Sequence, residues 1–298
     1  MNNWTKGAAA TLLAFTLSAC GTSSEPESTV EAEGDTRKKT EVSEKEAVTA
    51  ENIFKKSMEA SESMNSMHAD LAVTQNLKIT GEEELSMKND LSITIDIMNE
   101  PEGLHQKVTA DGDAEGSMDI EMYREKDEMY IQMPDMNGSW MAVPPEMQGE
   151  LIDGLNSSNA MMDLEVFENF RNKFTVEEEK NEYLLKLDAS GEEFQELLHE
   201  LINQGSIAGQ ELGDEEAIEN IDVRKIELSL RIDKETYYTN SFDMKLDAVI
   251  DMEGFRAVII QTINAKMSKV NELEEIIIPN EVRNKAFDME GNPVGESE

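Results

Sequence analysis

The stretch LSMKNDLSITIDI, residues 85–97, decides how this chain folds. Leu85, Met87, Leu91, Ile93, Ile95 and Ile97 fall on one side of a two-residue period, while Ser86, Lys88, Asp90, Ser92, Thr94 and Asp96 fall on the other. A strand patterned in this way has one dry and one wet face, which suits an antiparallel sheet and does not suit a parallel sheet buried on both sides. Its length exceeds the usual five or so residues of a strand, so the sheet it predicts is deep along the strand direction.

Working outward, Leu71, Val73, Leu77 and Ile79 alternate with Asp70, Thr74, Asn76 and Lys78. Before them, residues 50–66 (AENIFKKSMEASESMNS) place Ile53, Phe54, Met58, Ser61 and Met64 at helical spacing, which predicts a one-sided helix. On the other side come shorter alternating runs: Leu104, Val108 and Ala110; Met118, Ile120 and Met122; Met129, Ile131 and Met133. Asn137-Gly138 marks a tight turn before Trp140 to Val143, and Pro144-Pro145 close this meander. Helical stretches are expected over 146–174 on Met147, Leu151, Leu164, Phe167 and Phe170, then a strand pair at 174–178 and 183–187.

Ser190-Gly191-Glu192-Glu193 fits a capping box for a helix striped with Phe194, Leu197, Leu198, Leu201 and Ile202. A polar loop over 205–220 leads to strands at 226–232, 242–250 and 255–267, and residues 276–278 and 279–282 predict a last strand and a short closing helix. The order is α+β: a large curved antiparallel sheet, a half-barrel, covered on one side by helices. One domain over 49–287 is the first expectation, two small domains meeting near residue 180 is the alternative, and 288–298 is expected to be a disordered tail.

The first nineteen residues hold one charge, Lys6, and an apolar run from Gly7 to Leu17, the pattern of an export signal too short to span a bilayer. They end in Leu17-Ser18-Ala19-Cys20, and Cys20 is the single cysteine, which excludes an internal disulfide and a cysteine metal site. Residues 20–48 are rich in Ser, Thr and Glu; from Gly21 on they contain no Leu, Ile, Phe, Trp or Tyr and predict a disordered acidic tether. With 64 Asp and Glu against 26 Lys and Arg the formal charge is −38, which argues against nucleic acid as a partner and is read first as a solubility feature.

The Leu-Ser-Ala-Cys run behind a short apolar stretch resembles the lipobox of bacterial lipoproteins. That resemblance implies cleavage between Ala19 and Cys20, a diacylglyceryl thioether on Cys20, and attachment to the extracellular face of the cell membrane. Two acyl chains are enough for stable anchorage. The Met64–His68 segment, the alternating Met-rich strands, Gly138-Ser139-Trp140 and Ile278–Val282 together resemble a Gram-positive lipoprotein family of unknown function over residues 50–287. It is similar in layout to lipoproteins of the LolA and LppX type, whose curved sheet encloses an apolar cavity under helices. The resemblance implies capture of a lipid or another apolar molecule and carries no catalytic residue.

Nineteen methionines in one chain, many on the dry faces, suit a pliable apolar pocket, and Met87, Met118, Met122, Met129 and Met133 are its candidate lining. The alternative is that these side chains fill a core poor in aromatics, leaving a non-enzymatic interaction module at the cell surface. Asp111 to Gly116 copies the start of an EF-hand loop, but its twelfth position is Met122 instead of a bidentate Glu, so a polar hairpin is expected. His68, His105 and His199 lack metal-ligand spacing and are expected to stand apart. No nucleophile elbow, phosphate-binding glycine loop or His-Glu-x-x-His helix occurs, so neither enzyme activity, nor a cofactor, nor a metal is expected, and the expected state is a monomer.

Overall fold

The 85–97 alternation forms the heart of β2 (Glu84–Met98) in the computed structural model, which describes residues 48–81, 84–112, 116–149, 151, 164–190, 221–252 and 255–294. The predicted export signal, Cys20, nearly all of the tether, the capping-box helix after Ser190, His199 and residues 295–298 lie outside the described residues. The other strands are β1 (Ser66–Thr80), β3 (Gly103–Gly112), β4 (Gly116–Glu125), β5 (Glu128–Gln132), β6 (Trp140–Ala142), β7 (Thr175–Glu178), β8 (Glu182–Ala189), β9 (Ile221–Asp233), β10 (Thr239–Met252), β11 (Phe255–Ser268) and β12 (Ala286–Phe287). They form one open twelve-stranded sheet in the order β12-β6-β5-β4-β3-β2-β1-β11-β10-β9-β8-β7. Every neighbouring pair is antiparallel except β12 with β6.

Register follows from the dry side chains. Leu71 stands opposite Ile93 on β2 and Ala265 on β11, and Val73 opposite Leu91 and Ile263. Slipping either pairing by one residue would turn every apolar side chain to water, so the alternation itself fixes the alignment. The polar hairpin expected at 111–116 is the β3–β4 connection, with Gly112 opposite Gly116.

Among the described residues the helical cover of the dry face is smaller than expected. That cover consists mainly of α1 (Ala50–Glu62) and the 3-10 segment Leu164–Lys173. The Thr49 hydroxyl caps α1 by accepting from the Asn52 N–H at 3.2 Å, and Ile53 and Phe54 are buried beneath it. Phe54 meets the edge of Phe174 at 5.0 Å, and Phe167 packs on both Phe174 and Phe242 of β10. Leu164, Phe167 and Phe170 are three residues apart, the repeat of a 3-10 helix, so the apolar stripe read as α-helical winds more tightly and covers less of the sheet.

Beyond β11 the chain turns through Lys269 and Asn271, both in the left-handed region (φ 52° and 59°), and runs as a strap over the wet face. Residues 276–278, expected as a strand, join no strand of the sheet; Ile278 is buried and its N–H donates to Glu125 at 2.9 Å. The short helix Asn280–Asn284 follows, and then β12 pairs with β6. Arg283 bonds Glu125 at 2.9 Å, Glu128 at 2.9 Å and the Ile278 carbonyl at 2.7 Å. Tyr130, Trp140, Ile278, Val282 and Ala286 form a second small core there. The strap passes so close to β3 that a Cβ on Gly103 would lie 2.9 Å from the Cβ of Ile276. Residues from 288, expected to fray, fold back as far as Val294, whose N–H donates to the Ala286 carbonyl at 3.0 Å.

Candidate ligand-binding face

The dry face is unevenly covered. Under β8 to β11 it is closed: Leu187, Leu228, Met244, Leu246, Ala248 and Ile250 are all buried. Across β1 to β4 it opens along the strands. Ala69, Ile95 and Met122 are buried at one end; Val73, Leu91 and Ile120 are half-buried; Met118, level with Val73 and Leu91 but on β4, is 42% exposed, and at the far end of β2 Leu85 is 48% exposed. Pairing alone keeps these side chains on one face, because Ile79 lies opposite Leu85, Leu77 opposite Met87 and Ala110 opposite Met118. From Leu71 to Ile79 on β1 this lane is about 26 Å long at about 3.3 Å per residue.

The five candidate methionines do not converge on one spot. Met87 and Met118 lie in the open lane, separated by β3. Met122 and Met129 are packed into the main core, and Met133 is exposed at the start of the 3-10 turn Pro134–Met136. The lane carries no charge and, apart from the amides of Gln75 and Asn89, is lined by apolar side chains, so it can hold a molecule by exclusion of water, with methionine sulfur and methyl groups adapting to its shape.

Among the described residues, two clefts open on the opposite, wet face. One, of about 420 Å³, is lined chiefly by polar side chains of β8 to β11, including Lys186, Asp188, Asp243 and Lys245. The other, of about 230 Å³, lies between the strap residues Leu273–Ile277 and Asp96, His105 and Tyr123. Here the pairing brings together histidines that the sequence suggested were isolated: His68 stands opposite Asp96, Asp96 opposite His105, and His105 opposite Tyr123. His68 Nδ1 is 2.7 Å from one Asp96 oxygen, the other is 3.9 Å from His105 Nδ1, and His105 Nε2 is 2.9 Å from Glu121. The His105 ring stacks on Tyr123 at 4.1 Å. Burial, reinforced by the neighbouring Glu121 charge, pushes the Tyr123 phenol up to about 12. Burial works the other way on Glu121, but hydrogen bonds from His105 and Lys107 hold its carboxyl below the usual range. Among the described residues no group of three or more His, Cys, Asp and Glu could hold a metal ion. The only advance signal for this row was the position of the turns, which set which wet residues face one another.

A family model matches residues 49–287, nearly the same segment over which the sequence resemblance runs. The chain belongs to the DUF6612 family. That family is one of unknown function. None of the curated proteins matches the chain. Similar solved structures include a LolA superfamily protein from Nitrosomonas europaea, with 11% identity over 79% of this chain and 97% of that chain and a TM-score of 0.17. Another is an outer membrane lipoprotein-sorting protein domain from Vibrio parahaemolyticus, at 11% identity, 76% and 96% coverage and a TM-score of 0.23. A β-barrel-like protein of unknown function from Brucella abortus follows at 8% identity, 69% and 99% coverage and a TM-score of 0.22. At these TM-scores the likenesses carry no argument about this member of DUF6612. No helix among its described residues is long and apolar enough to cross a membrane.

Proposed function

We propose that this chain is a lipid-anchored protein of the outer cell surface, attached through Cys20, that holds an acyl chain or a similar apolar molecule against the dry face of its sheet. The observation that carries the ligand reading is the gradient in cover, from a closed face under β8 to β11 to a lane across β1 to β4 that leaves Leu85 48% and Met118 42% exposed. Large apolar side chains left half-exposed on one face, flanked by a fully packed core, are the usual mark of a surface that is covered by something else in use. The uncharged lane suits a hydrocarbon, and the acid surface around it keeps anionic membrane away except at the anchor.

The test is native mass spectrometry and solvent extraction of the mature chain with Cys20 replaced by Ser, incubated with vesicles of mixed lipids. Recovery of a stoichiometric lipid from this protein, and its loss when Leu85 and Met118 are both replaced by Glu, is the expected result. A chain that stays lipid-free in every mixture would overturn the reading in favour of the alternative, an interaction module whose packed Met122 and Met129 are simply core.

A further inference from the structure

The apolar lane is crossed by a row of amides. Gln75 on β1 stands opposite Gln261 on β11 and Asn89 on β2. On either side the face is apolar, with Ile263, Val73 and Leu91 one step along and Ile259, Leu77 and Met87 one step in the other direction. Asn89 in turn faces Gly112, where an added Cβ would lie 3.0 Å from the Asn89 side-chain oxygen. The row runs from the closed region into the open lane: Gln261 is only 5% exposed, whereas Gln75 and Asn89 are half-buried.

Gln261 Oε1 is buried without a hydrogen-bond partner. Buried amide oxygens nearly always have a donor, and an oxygen left without one destabilises the fold where a leucine of similar size would pack at no such cost. Resting on the ligand reading above, we infer that the bound molecule is amphipathic and presents an uncharged hydrogen-bond donor, a hydroxyl or an amide N–H, to the Gln261–Gln75–Asn89 row, with its hydrocarbon on the apolar rows to either side. The row itself bears no charge and its neighbours on this face are aliphatic. A phosphate or carboxylate at this point would be a buried anion with no counter-ion, so the donor belongs to a neutral lipid.

The experiment compares three probes on the mature chain with Cys20→Ser: 1-oleoylglycerol, its di-O-methyl ether, and oleoyl lysophosphatidate, each measured by displacement of a fluorescent fatty acyl probe. Oleoylglycerol is expected to bind about tenfold tighter than its ether, the value of one hydrogen bond, and tighter than the lysophosphatidate. Gln261→Leu should bring the alcohol and the ether to within about twofold while leaving the ether unchanged; Asn89→Leu provides a second, half-buried position should the first variant fail to fold. Equal binding of alcohol and ether to the unmodified row, or a preference that survives both variants, overturns the inference while leaving an apolar site in place. Failure of all three probes to displace the fluorophore, or of the fluorophore to bind, overturns the ligand reading and the inference with it.

Discussion

Replacing Gly103 with alanine asks whether the strap really bears on the sheet. The new Cβ would sit 2.9 Å from the Cβ of Ile276, a contact between two atoms that cannot rotate away. Forcing an extra carbon into packed space typically costs about 1–3 kcal/mol. Alanine offsets about 0.4–1 kcal/mol of this by reducing the freedom of the unfolded chain. The net expectation is a loss of about 1–2 kcal/mol, or a fall in Tm of roughly 3–6 °C for a domain of this size. Thermal melts followed by circular dichroism measure it, and a cycle with Ile276→Gly isolates the contact: in that background the colliding carbon is gone, and Gly103→Ala should be neutral or slightly stabilising. An unchanged or raised Tm in the parent chain, or an equal loss in both backgrounds, would refute the close crossing.

Further outcomes concern the strap's anchorage, the core and the membrane anchor. The Ile278 N–H, followed by the guanidinium of Arg283, holds the Glu125 carboxyl below its ordinary value near 4.5. Because the folded value is the lower one, its stabilisation is complete above that ordinary value and is lost as pH falls through the folded one. The stability gap between the native chain and Glu125→Gln should therefore be widest near pH 6 and close toward pH 3, and a gap independent of pH in denaturant titrations would count against it. Phe54→Ala, which empties the contact between α1 and Phe174, should cost about 3–5 kcal/mol in urea unfolding, and a loss below 1 kcal/mol would mean that the helix is not docked there. Cys20→Ala should release the protein from membranes and abolish labelling with fatty acid; persistent labelling would remove the proposed anchor.

The sheet was legible because its signal is local: in residues 85–97 each successive side chain reports which side is dry, and the same holds on β1, β4 and β10. Cover was harder to read. Leu164, Phe167 and Phe170 look like a helical stripe from hydrophobicity alone, and only their spacing of three distinguishes the tighter winding found there. Residues 276–278 are β-branched and apolar, as strands are, yet they cross the wet face as a strap that buries Ile278 against a side core and leaves Ile277 exposed. For the candidate face, one-sidedness was visible from the sequence and the extent of its cover was not. The amide row is not legible in the sequence, because Gln75, Asn89 and Gln261 each look like an ordinary polar interruption until register sets them side by side.

The twelve strands are graded in length, from β1 and β2 with fifteen residues each near the middle to four residues in β7 and two in β12 at the rims. Under the proposed anchorage the protein would meet its own copies at high local density, and exposed strand borders are where such copies polymerise. Here the outermost strands, β7 and β12, offer a passing copy only four and two residues of backbone. Long pairing surfaces sit inland, so a broad sheet can be crowded without seeding fibres.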